Sequence, residues 1–153
     1  MVKWRKNDME QYVEAKEYID TVIIPLIPFQ MAKDQELSKD SFQNEALALF
    51  LTEMEKELSG RLLLTPNYHY IKASDLELEK DRLNLWVANV QEQPFKHIFF
   101  ITFDSQWKKV EKDLEGTLIW LPGFPTSDLI SKEVQQMVRG QVSEISELIR
   151  SYW

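Results

Sequence analysis

Helical and strand-like hydrophobic patterns alternate along the chain. Met9, Tyr12, Val13, Lys16 and Ile19 recur at helical spacing, and Asp8 with Gln11 can form a capping box, predicting a first helix over about 8–19. Thr21 to Phe29 is apolar and rich in β-branched residues and reads as a strand. Pro25 and Pro28 lack the backbone N–H that a central strand donates, so pairing there is expected to be partial or bulged at Pro25. Phe29 to Lys39 is uneven and polar and is expected to be a mobile loop. A second capping box, Asp40 with Gln43, precedes a helix whose face is Leu47, Phe50, Leu51, Met54 and Leu58, with Gly60 as its terminator.

Arg61 to Pro66 follows as a short strand, which Tyr68 to Ile71 either extends after a kink or leaves for the next loop. Ser74 and Glu77 form a third capping box for a helix carrying Leu83, Trp86, Val87 and Val90, closed by Pro94. The central buried strand is His97 to Asp104, because a run apolar on both faces needs cover on both. Trp107, Val110 and Leu114 mark a short helix, and Thr117 to Leu121 a fourth strand stopped by residues 122–125. From about Ser127 to Tyr152 one long helix keeps the 3.6 period, with Gly140 as its weak point.

This alternation with short connections predicts a three-layer α/β/α sandwich around a mostly parallel sheet of about four strands. The preferred order is the flavodoxin-like 2-1-3-4. Without linker, repeat or low-complexity tract, residues 1–153 are expected to form one α/β domain, which 153 residues with 44% hydrophobic content can support.

Charge and composition remove several functions. Eighteen basic and 25 acidic residues give a net charge of −7 with no basic stripe, which argues against nucleic-acid binding. Zero cysteines exclude disulfides, thiolate metal sites and cysteine nucleophiles, and two histidines make a histidine metal cluster improbable. Four glycines cannot assemble a P-loop or dinucleotide fingerprint, and no nucleophile elbow is present. No cofactor or metal is expected. No apolar run approaches the roughly 20 residues of a membrane helix, and the polar start carries no signal core, so a soluble cytoplasmic protein is the expectation.

In a parallel sheet, ligands approach the carboxyl ends of the strands. The pocket candidates there are Gln30, Tyr68, His69, Tyr70, Asp104, Ser105 and Trp107. Asp104, ending a buried strand, is placed for general acid, base or ligand chemistry, but Asp104 or Ser105 equally suits a helix N-cap. His69 between two tyrosines fits a general base or an aromatic pocket, and equally loop packing. Tyr68 and Trp107 could stack on a planar ligand such as a flavin, although Gln30-Met31-Ala32-Lys33 is no flavin phosphate loop. Tyr152 and Trp153 are the candidates for a protein partner or a homo-oligomer seam, or else close the core as a last helix does. No motif identifies a reaction. Two readings stay open: a non-enzymatic interaction or regulatory module, and a small-molecule-binding protein or atypical enzyme with its pocket at the strand ends.

The stretch Trp4 to Tyr12, followed by Ala15 to Thr21 and Ile24-Pro25-Leu26-Ile27-Pro28, resembles the YpiF-like proteins of Bacillus and related bacteria, and the similarity extends over most of the chain. That family is a domain of unknown function. The resemblance implies a small bacterial cytoplasmic protein and adds no activity, cofactor or catalytic residue.

Overall fold

The computed structural model describes residues 1–124 and 129–153, which form two compact units. The first, residues 1–29 and 60–122, holds six strands: β1 (Val2–Lys3), β2 (Thr21–Phe29), β3 (Leu62–Leu64), β4 (Tyr68–Ile71), β5 (His97–Thr102) and β6 (Thr117–Trp120). Every pairing is parallel, in the order β1-β3-β2-β5-β6, with β4 also on β2. The four expected strands keep their relative order. The added β1 and β4 make the sheet differ from a flavodoxin-like one, and the hub is β2 and not the run from His97.

Register explains how β2 tolerates two prolines. In a parallel strand the N–H and C=O of one residue point the same way, and alternate residues serve alternate neighbours. The Ile23 carbonyl accepts from Thr65 N (3.1 Å), so Pro25 also faces the β3 side. There β3 pairing ends at Ile23 with Leu64, and β4 pairing begins only at Leu26 with Tyr68. The missing N–H of Pro25 therefore falls in the gap. Leu26 O accepts from Thr102 Oγ1 (2.9 Å) on the β5 side, so Pro28 faces that side too, past the last β5 pair at Pro25 with Ile101. No bulge is needed.

One face of the sheet, with Val22, Ile24, Leu26, Ile98 and Phe100, packs against α1 (Lys6–Glu14), α3 (Leu76–Val90) and a 3-10 helix (Ser105–Asp113). These contribute Tyr12, Leu83, Val87, Trp107 and Val110 to one buried cluster. Residues pointing the other way, Ile23, Leu62, Phe99 and Ile101, are also buried. Gly116 before β6 is closely packed, since a Cβ there would lie 2.8 Å from the Phe100 ring.

The helices of this unit do not start at the caps expected for them. α1 begins at Lys6, and Asp8 instead accepts from Lys3 N (3.0 Å) and Arg5 Nη2 (2.7 Å). α3 is capped by Asp75, which accepts from Glu77 N (3.1 Å), while the Ser74 hydroxyl donates to Glu79 (3.0 Å).

The second unit, residues 30–59 and 123–153, holds α2 (Asp34–Glu57) and α4 (Lys132–Arg150). They are joined by Arg150 Nη2 donating to Glu57 O (2.8 Å). α2 starts at Asp34, so most of the expected loop from Phe29 to Lys39 is helix, and Asp40 lies inside it. The readings placed on Pro125 and Ser127 fall outside the described residues. On α4, Val134, Val138, Val142, Ile145 and Ile149 are buried, whereas Met137 and Leu148 on the helix and Ile130 and Tyr152 beyond its ends are exposed. Gly140 lies within this helix with nothing within 4 Å of a Cβ built on it. Gly140→Ala is therefore expected to stabilise the protein by about 0.5–1 kcal/mol, read from the thermal midpoint. A lower midpoint would show that the position needs glycine.

Candidate functional site

β4 alternates buried and exposed residues, which sends Tyr68 and Tyr70 into the core and leaves His69 and Ile71 outside. Tyr70 donates to Asp104 Oδ2 (2.5 Å) and accepts from Trp107 Nε1 (2.9 Å). Asp104 Oδ1 caps the 3-10 helix by accepting from Gln106 N (3.0 Å), so both carboxylate oxygens are engaged. Tyr68 donates to Glu79 Oε1 (2.7 Å) and accepts from Arg82 Nε (2.7 Å), and Arg82 Nη2 donates to His69 O (2.7 Å). The Trp107 ring meets the rings of Tyr68 and Tyr70 edge to face, at 6.2 and 5.2 Å.

Burial pushes the Tyr68 phenol up to about 12, helped by Glu79 and opposed by Arg82. Burial, then the Asp104 carboxylate, raises Tyr70 further above its ordinary value. Neither phenol ionises near neutral pH, so neither serves as a base there. Of the pocket candidates, the structure brings together Tyr68, Tyr70, Asp104 and Trp107. The side chains of His69 and Ser105 are exposed. Gln30 belongs to the second unit, where its amide accepts from Lys33 N (2.9 Å) and donates to Asp40 (3.1 Å). Tyr152 and Trp153 follow α4, with backbone N–H groups on Ile149 O and Arg150 O (3.1 and 3.0 Å). No group of three or more His, Asp or Glu among the described residues could hold a metal ion, and no helix there is long and apolar enough to cross a membrane.

An open concavity in the first unit lies elsewhere, between α1 and α3. It is a groove of about 780 Å³ whose walls include Met9, Tyr12, Leu63, Trp86, Val90 and Phe95. Tyr12 fixes its base, stacking on Phe95 (5.4 Å between centroids) and donating to Gln93 Oε1 (3.3 Å). Trp4, Val13 and Leu85 also line it and are 64–71% exposed. None of these three was among the site candidates drawn from the sequence. The signal was Leu85-Trp86-Val87, three consecutive apolar residues that one helix cannot turn toward one core.

No solved structure matches the chain. It is 26% identical over 154 residues to the "Uncharacterized protein YpiF" of Bacillus subtilis (strain 168), an alignment covering 99% of this chain and 98% of that protein. Residues 10–153 match the model of a family described as "Protein of unknown function (DUF2487)", and the chain belongs to that family.

Proposed function

We propose that the chain is a non-enzymatic cytoplasmic interaction module whose working surface is the α1/α3 groove. The observation that carries this reading is the apolar groove of about 780 Å³ rimmed by Trp4, Val13 and Leu85. Contiguous exposed apolar surface is costly to leave in water and marks binding sites, and a tryptophan at its edge is a common anchor. The cluster of Tyr68, Tyr70, Asp104 and Trp107 supports the same reading. Its polar groups hydrogen-bond to one another and to backbone, as structural groups do.

A neutral apolar dye tests the surface. Nile red is expected to bind saturably to the native protein, and Leu85→Glu to weaken that binding by about tenfold, or about 1.4 kcal/mol. Leu85 is exposed, so the variant should keep its thermal midpoint. Equal dye affinity in wild type and variant would rule out the groove as the binding surface.

A further inference from the structure

We infer that the chain pairs with a second copy of itself through β6, antiparallel and about a twofold axis at Ile119. This does not depend on the groove. The Leu121 N–H donates to Thr102 O (2.9 Å), so Ile119 and Leu121 present their backbone groups to β5, and the alternate residues, Leu118 and Trp120, turn theirs to the outer side. No hydrogen bond among the described residues reaches the backbone N–H or C=O of either. Thr117, Leu118 and Trp120 are also partly exposed.

The other outer strands are treated differently. On β1 both backbone groups of Lys3 are taken, by the Asp8 carboxylate (3.0 Å) and by Arg5 N (2.7 Å). On β4 the outward carbonyls of His69 and Ile71 accept from Arg82 Nη2 (2.7 Å) and Ser74 N (3.0 Å). An edge left open is normally blunted by charge or proline, yet Thr117 to Leu121 has neither. Outward donors and acceptors on alternate residues of an apolar strand call for an extended chain beside them.

β6 is complementary to itself. An antiparallel copy centred on Ile119 sets each Leu118 opposite the other copy's Trp120, and these two hydrogen-bonded pairs satisfy every outward N–H and C=O of both residues in both copies. Ile119 then faces Ile119 and Thr117 faces Leu121, so the cross-strand pairs join aromatic to aliphatic side chains and bring no like charges together. Pairing spends the edge in both copies, so assembly closes at two. The flanking charges agree. The 3-10 helix runs from Asp104, after β5, back to Gly116, before β6, so the twofold sets it antiparallel to its copy. Lys108 lies over the Trp120 ring (3.7 Å) at the carboxyl end of β6, with Lys109 next in sequence, and the Asp104 carboxylate there is spent on Tyr70 and Gln106 N. Glu111, Asp113 and Glu115, against the single Lys112, lead into the amino end. Each basic end therefore meets the acidic end of the second copy.

Sedimentation of the full chain is expected to show a monomer–dimer equilibrium between micromolar and millimolar concentrations, unchanged by Leu85→Glu. Across that range, amide hydrogen exchange should slow by about tenfold or more at Leu118 and Trp120 relative to Ile119 and Leu121, whose N–H groups already bond to β5. The chain has no cysteine, so an introduced thiol reports on its own position. Ile119→Cys should give a disulfide-linked dimer, because a non-hydrogen-bonded antiparallel pair sets its Cα atoms about 4.5 Å apart, within disulfide reach. Thr117→Cys, two residues off the axis, should not. A chain that stays monomeric throughout, or a dimer whose Leu118 and Trp120 amides exchange as in the monomer, would overturn the inference. A dimer abolished by Leu85→Glu would overturn it too, by placing the seam at the groove. Slowed Leu118 and Trp120 amides with no cross-link at residue 119 would overturn the twofold register.

Discussion

Trp107→Ala is expected to lower the free energy of unfolding by about 3 to 5 kcal/mol, the range for removing a large aromatic from a packed core. Trp107 is fully buried, and its ring edge-packs on both Tyr68 and Tyr70. Truncation removes that packing and also the N–H that Tyr70 accepts, so the cavity and the lost hydrogen bond act together. Urea denaturation checks this through a lower midpoint at unchanged slope. A loss under about 1 kcal/mol would mean that the cluster relaxes around the gap and does not anchor the carboxyl end of the sheet.

That cluster shows what could be read from the chain. Of the residues expected at the carboxyl ends of the parallel strands, Tyr68, Tyr70, Asp104 and Trp107 come together, because strand ends adjacent in register place their following residues side by side. The period of two in β4 then separated His69 from its neighbours. The four strands within 21–29, 61–66, 97–104 and 117–121 were legible because short apolar runs between turn signals, three of them rich in β-branched and aromatic residues, have few other solutions. β1 was not, since two residues carry no period and its existence depends on Leu63 and Leu64 beside it. The start of α2 was missed for a different reason. Residues 34–41 are largely solvated and have no apolar period, while Asp40 with Gln43 imitates a cap in mid-helix. The groove was illegible because it depends on α1 and α3 becoming neighbours, which only the strand order decides.

At the opposite, amino end of the sheet, Arg61→Ala is expected to cost about 2 kcal/mol at neutral pH, less than the roughly 3–5 for breaking a fully buried pair because the Arg61 side chain is 37% exposed. Arg61 donates through Nε and Nη2 to the two oxygens of Asp20, each at 2.9 Å, and the Thr21 hydroxyl adds a third bond at 3.0 Å. The backbone carbonyl of Asp20 accepts from Lys96 N and His97 N at 2.8 and 3.1 Å. One residue thus ties together the chain entering β2, β3 and β5. The Arg61 hydrogen bonds hold the Asp20 carboxyl below its ordinary value of 3.8, against burial, which raises it. A depressed folded value stabilises the protein above the unfolded one and loses that contribution as pH falls through the folded value. The gap between wild type and Arg61→Ala should therefore be full at pH 7 and shrink in acid below 3.8, as Asp20 of the wild type takes up its proton. Urea midpoints measured across that interval check the sign. A gap independent of pH would mean that Arg61 acts through the packing of its aliphatic stem and not through its charge.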